Sequence, residues 1–376
     1  TWVCVGYEGG VCIDFEEQTV EQPTVVRSAH IDYDELGRVR ARRGNNGQVV
    51  RYTYDDNGNV KTIVDSQNRT STLTYDALGR TTQSQDATGG LIKFEYDKGD
   101  RIVKVTDPRN LHTTYIYDGF GQLWAQHSPD TGSTSFQYSA AGLRTLAMRN
   151  DGSTLSFTYD TGGRLTWYGT STQGRSFGYD WCQNGKGRLC EASYSSGTRQ
   201  FSYTPYGQLQ GTLDWTPASS DWIGYSYDTS GRLSGIAYPS GVSVGYGYAG
   251  GKLTAMTATL PNGTTQTVAS GMKYLPFAGI EHWTYGNGIE RLMTADMDGR
   301  PAAIHSAGVQ GLYYTWNASD EIVKIVNGAD ATLTQDYGYD ALSRLTSAAT
   351  SGGTTGFAYD GVGNRTQRTD SGVATN

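Results

Sequence analysis

"LTYDALGR", residues 73–80, places an aspartate between a tyrosine and a glycine-arginine pair. Read alone, Asp76 suits a catalytic site or a structural joint equally well. Its recurrence decides between them. Tyr33, Tyr54, Tyr75, Tyr96, Tyr117, Tyr138 and Tyr159 follow one another at steps of 21 residues, and the phase continues through Tyr179, Tyr203, Tyr227, Tyr248 and Tyr274. Degenerate copies at Ala295 and Trp316 and clear ones at Tyr339 and Tyr359 bring the count to sixteen units. A short fixed period is the signature of an array in which each unit buries its apolar surface against its neighbours.

Each unit reads as a β-hairpin. Before the tyrosine the chain alternates with period two, as in "RYTYD" (51–55), "KFEYD" (93–97), "TYIYD" (114–118) and "LSFTYD" (155–160), which predicts half-buried strands with aromatics on one face. Asp, two variable residues and Gly then fit a type I turn closed by a glycine in the left-handed conformation, a G1 bulge. The units with this outline are Tyr33-Asp34-Gly37, Tyr54-Asp55-Gly58, Tyr75-Asp76-Gly79-Arg80, Tyr117-Asp118-Gly121, Tyr159-Asp160-Gly163-Arg164, Tyr227-Asp228-Gly231-Arg232, Tyr339-Asp340 and Tyr359-Asp360-Gly363. The geometry sets Asp76 opposite Arg80 and Tyr75 opposite Thr81, and Asp160 opposite Arg164 and Tyr159 opposite Leu165. Each such pair contributes little, and sixteen units repeat it. Ser139, Thr204 and Asn317 replace the aspartate with side chains that also hydrogen-bond a turn backbone.

Composition agrees with an array of aromatic strands and many turns. Leu, Ile, Val and Phe together make up about 17% of the 376 residues, while 27 tyrosines and 50 glycines supply ring area and turns. The net charge of −7 with scattered basic residues lacks the footprint of a nucleic-acid binder. No stretch approaches 18 apolar residues, so no membrane segment is expected.

Four cysteines fall as Cys4/Cys12 and Cys182/Cys190, each pair with seven residues between. The spacing is wrong for a metal knuckle and suits two cysteines facing across a short hairpin. Two local disulfides, free buried thiols and a metal site remain as readings, and the first implies an oxidising compartment. The five histidines stand apart in no ligand or nucleophile-base motif. "DDNGN" (55–59) and "DMDG" (296–299) resemble calcium loops faintly but lack the later glutamate of an EF-hand. Neither catalytic residues nor a cofactor or metal are expected.

The unit Y-D-x-x-G-R, with an aromatic two places before the tyrosine, resembles the YD repeat of the Rhs family. "CQNGKGRLC" (182–190) and "WTYGNGIERLMTADMDGRP" (283–301) are similar to variant repeats of bacterial Rhs proteins. The resemblance covers about residues 29–376 and implies an all-β fold, with antiparallel hairpins in one sheet that spirals into a hollow shell. Residues 1–28 are then an N-terminal hairpin segment, and the array looks cut from a longer protein at both ends.

By the same resemblance, the chain is a non-enzymatic shell segment of an exported polymorphic toxin. Its partners would be its own C-terminal toxin cargo, the remaining Rhs shell, and a type VI spike or Tc-type translocation pore. Teneurin barrels are more distant relatives. The family's Asp-Pro-rich autoprotease segment has no counterpart here, since the only Asp-Pro is Asp107-Pro108 inside an ordinary repeat. The alternative is an extracellular adhesin or self-associating fibre whose exposed rings bind carbohydrate or protein. Thirty-two strands at ~4.8 Å, closed as one ring, would give a band about 50 Å across.

Overall fold

The computed structural model describes residues 29–276 and 279–371 in full, and the backbone alone at 2–8, 11–17 and 373–375. Trp2–Glu8 and Val11–Glu17 pair as a separate antiparallel hairpin. The expected bond between Cys4 and Cys12 concerns side chains outside the described residues, and for this hairpin only the backbone register is described. Cys12 stands opposite Tyr7, and Cys4 stands opposite Phe15. The two register shifts on either side of Gly6 cancel, so one register, set by the turn between Glu8 and Val11, holds at both ends of the ladder. From His30–Tyr33 to Val373–Thr375, thirty-three described strands form a single sheet closed into a barrel. Every ladder in it is antiparallel and joins consecutive strands. Closure therefore comes from side chains and turns meeting between laps of the ribbon.

The hairpin geometry is the one the motif dictates. Tyr75 pairs with Thr81 and Thr74 with Gln83, and the bulge lies between them. Tyr159 likewise pairs with Leu165. The Asp76 N–H donates to the Arg80 carbonyl at 3.0 Å, and the Gly79 N–H donates to the Asp76 carbonyl at 3.0 Å. Gly79 has φ +77°, a value that an L side chain adopts only with strain. One edge of the ribbon carries these tyrosine-aspartate turns. The other carries the far turns that link one hairpin to the next, such as 65–69.

The wall is one sheet thick. Its buried apolar residues are few and mostly small, with Ala41, Ala125 and Ala147 among them. The accessible surface is 22990 Å², whereas a compact globule of 40.8 kDa would expose about 15,000 Å². The excess is what a hollow shell with two solvated faces requires.

The single-ring expectation is corrected here. The Asn45 N–H donates to Asp298 at 2.9 Å across 253 residues, and Arg69 donates to Glu321 at 2.9 Å across 252. That interval is twelve repeats of 21, so a lap closes after about 24 strands. At ~4.8 Å per strand its circumference is about 115 Å and its width about 37 Å. The last four hairpins begin a second lap on top of the first.

Candidate functional site: the repeat joints and the lap seam

Each motif residue serves the joint between units as well as its own turn. Asp76 accepts through Oδ1 from the backbone N–H groups of Leu78 at 2.9 Å and Arg80 at 3.0 Å. Its Oδ2 accepts from Arg80 Nε at 2.7 Å. The Arg80 guanidinium holds the Asp76 carboxyl below the usual carboxylate range. The same guanidinium reaches the next unit, where Nη1 donates to Asp100 at 2.6 Å and the group sits 4.7 Å from the Tyr96 ring centroid. The Tyr96 hydroxyl then donates back to the Thr81 carbonyl at 2.7 Å. One arginine and one tyrosine thus lock two hairpins together.

The lock repeats along the wall. Tyr54 bonds the Val39 carbonyl, Tyr75 that of Val60, Tyr117 that of Ile102, Tyr159 that of Arg144, Tyr227 that of Leu209, Tyr339 that of Ile322 and Tyr359 that of Leu345. Trp316 keeps the pattern by donating from Nε1 to the Pro301 carbonyl at 2.8 Å. Arginines lie over the rings of Tyr54, Tyr117, Tyr179, Tyr248 and Tyr359. Those ring faces are covered, which removes them as ligand platforms. Cross-strand packing by the tyrosines was legible in the sequence; the hydroxyl bond and the arginine cover were not.

Substituted joints keep the turn. Ser139 Oγ accepts from the Leu143 N–H at 3.2 Å, Thr204 Oγ1 from Gln208 at 3.2 Å, and Asn317 Oδ1 from Ser319 at 2.9 Å and Glu321 at 3.0 Å. Asp180 departs from the motif. It opens the longer loop that Cys182 and Cys190 close as a disulfide. Bonds from Arg164 and from the Gly187 N–H hold its carboxyl at about 2. For the first cysteine pair only the backbone is described, and it sets Cys12 beside Tyr7 rather than Cys4. The expected bond between Cys4 and Cys12 concerns side chains that lie outside the described residues.

The seam is where side chains distant in sequence converge. Asp298, read above as part of a faint calcium loop, accepts from the Asn45 N–H and side-chain amide at 2.9 and 2.8 Å, from Asn46 Nδ2 at 2.5 Å and from Gln48 Nε2 at 3.0 Å. Burial pushes its carboxyl up, but these donors outweigh burial and hold it at about 2. Ser319 Oγ donates to Asp65 at 3.2 Å. Arg69, already bonded to Asp65, donates to Glu321 and to the Asp340 carbonyl. Glu321 is 9% exposed. Burial raises its carboxyl, and Ser343, Asn317 and Arg69 lower it further than burial raises it. Leu342 shares a crevice with Ile63 and Ala87. A signal for half of this seam was present, because Asp65, Asp86 and Asp107 form a second aspartate series on the same 21-residue beat.

Among the described residues no group of His, Cys, Asp and Glu could hold a metal ion, and no helix is long and apolar enough to cross a membrane. His127 is spent on Ser133 at 2.7 Å, and His282 lies 3.6 Å from Glu290.

Residues 15–180 match the family model described as the teneurin YD-shell. Over just under half of its length the chain is thus similar to a YD-repeat shell family. No curated protein matches the YD-repeat sequence as a relative. Among solved structures, the chain superposes on the Photorhabdus luminescens Tc holotoxin pore carrying a TccC3 variant, with a TM-score of 0.77 and 17% identity over 92% of this chain and 22% of that one. The crystal structure of TcdB2-TccC3-Cdc42 gives a TM-score of 0.72 and 15% identity over 91% of this chain and 23% of that one. This chain therefore spans about a quarter of the length of the proteins whose fold it shares.

Proposed function

We propose that this chain is a structural, non-catalytic segment of a shell that encapsulates a C-terminal toxin domain for export. One observation carries the reading: a one-layer wall closes on itself through the Arg69–Glu321 seam, and motif aspartates such as Asp76 and Asp160 are engaged in turns and joints. Sealing a cargo requires a wall without gaps, and a ribbon whose laps are joined side chain to side chain meets that need. A shell segment of this kind would work with further shell and a delivery pore, and would act outside the cytoplasm of the producing cell. The disulfide at Cys182 and Cys190 supports maturation in an oxidising compartment.

The test is limited proteolysis of the protein expressed with its natural flanking coding sequence. A downstream domain that resists protease in the intact shell and becomes sensitive when the seam is broken supports the reading. A downstream domain equally accessible in both, or no variable domain there, overturns it. The carbohydrate-adhesin alternative is disfavoured because arginines cover many of the motif rings.

A further inference from the structure

The wall has two faces, and the motif tyrosines occupy one of them. Phe157, two residues before Tyr159, stands opposite Tyr168, and their rings stack at 6.3 Å. Trp167, opposite Thr158, belongs to the other face. That face carries a line of its own across five strands. Trp167 pairs with Ser176, Ser176 with Ser193, Ser193 with Thr198, and Thr198 with Trp215. The two tryptophans stand four strand steps apart, about 19 Å, with hydroxyl side chains between them. Trp222 lies on the next strand, two residues off the line, because Trp215 pairs with Ser220 and Leu213 with Trp222. It is the diagonal neighbour of Trp215, about 7–8 Å away.

Glycine shapes the same face. The Trp222 indole lies against Gly211 and the Trp167 indole against Gly174, so closely that a Cβ on either glycine would collide with the ring. Beyond Trp222 the bare backbone of Gly224, Gly235 and Gly245 leaves a trough of about 500 Å³, with the hydroxyls of Ser226, Ser243 and Thr257 along it. Trp215 is 53% exposed and Trp222 45%. Among the described residues arginines lie over Trp283 and Trp316 and over none of these three rings. Glu191, the acidic group beside Ser193 on this face, is taken up by bonds from Ser193 and Gln200.

Uncovered indoles separated by hydroxyls have a specific chemical complement. The face of an indole is electron-rich, and the C–H groups of a pyranose ring carry partial positive charge, so the two stack; the sugar hydroxyls then need polar partners beside the ring. An apolar protein partner would instead leave Ser176, Ser193 and Thr198 desolvated and unpaired. A glycan carboxylate would meet Glu191 with no cation to receive it. We propose that this face, from Trp167 to the trough beside Trp222, binds a neutral linear oligosaccharide. The surface lies between the rims of the wall, on the side away from the arginine-covered motif tyrosines, and depends on no cargo.

The test is isothermal titration of the purified chain with β-1,4-glucose, α-1,4-glucose and β-1,4-N-acetylglucosamine oligomers of increasing length, with an oligogalacturonate as the acidic control. Such oligomers reach either face of the wall, so the result does not depend on which face lines the lumen. At least one neutral series should bind, tightening with length until the span of about 19 Å is filled. Trp215→Ala should weaken binding at least about tenfold. So should Ser220→Arg, which sets a guanidinium beside the intact Trp215 indole. Both positions are exposed, and circular dichroism with unchanged melting establishes that the variants fold. No binding in any neutral series, binding that both variants retain, or equal binding of the acidic control overturns the proposal. Capture of a carboxymethylated, unfolded polypeptide that both variants abolish, with no oligomer bound, also overturns it and assigns the face to protein.

Discussion

Arg69 and Glu321 lie 252 residues apart in sequence and 2.9 Å apart in space. The pair joins the far turn of the second hairpin to a turn of the fourteenth. Arg69 keeps Asp65 as a partner, so Glu321→Ala removes this ion pair between laps without orphaning the guanidinium. The expected cost is about 1–2 kcal/mol. In hydrogen exchange, amides of the strand ladders should keep their protection while turns 65–69 and 317–321 lose theirs. Equal loss throughout the sheet would show that the seam and the hairpins open as one unit.

The seam should fail in acid before the hairpins do. Asp298 is held at about 2 in the fold against an ordinary 3.8, and Glu321 is lowered too. A folded pKa below the unfolded one contributes stability that is complete above about pH 4 and lost as pH falls through about 2. Small-angle scattering between pH 5 and pH 2, an interval of about that width, should show the particle expand while the β signal in circular dichroism persists. Asp298→Asn should flatten that dependence.

Tyr75→Phe keeps the ring and deletes the hydroxyl bond to the Val60 carbonyl. The loss should be about 1 kcal/mol in the denaturant midpoint. Tyr33 is the internal control. It is 58% exposed and no described hairpin precedes it in the sheet, so Tyr33→Phe should leave stability unchanged.

The disulfide closes a short loop at Cys182 and Cys190. Replacing both cysteines with alanine should cost about 2.5 kcal/mol through the freed loop. The effect should be confined to exchange near residues 180–190. A shift of the whole melting profile would mean that this loop nucleates the neighbouring repeats.

Much of the wall was legible in the sequence because its causes are local. Tyr75, Asp76, Gly79 and Arg80 lie within six residues, and the turn they make fixes the register without reference to anything distant. The spacing of Cys4 and Cys12 carries no such turn motif, and it is the turn between Glu8 and Val11 that sets the backbone of Cys12 opposite Tyr7. The hydroxyl bond of Tyr75 to Val60 escaped because it spans a strand pair and leaves no mark on alternation. The seam escaped for a different reason. Where a ribbon meets itself depends on its curvature, which accumulates from small twists in every strand and is written in no single residue. Asp298 therefore resembled a loop ligand until Asn45 was found beside it.

The order of the ladders also bears on how the molecule forms. Each strand pairs with the one before and the one after, so hairpins can close as they leave the ribosome, and each finds a finished neighbour to build on. The seam obeys a different clock. Asn45 waits for Asp298, so the first lap stays an open arc until some 250 residues have been made. Closure of the ring is then a late event, separated in time from the folding of the hairpins that build it.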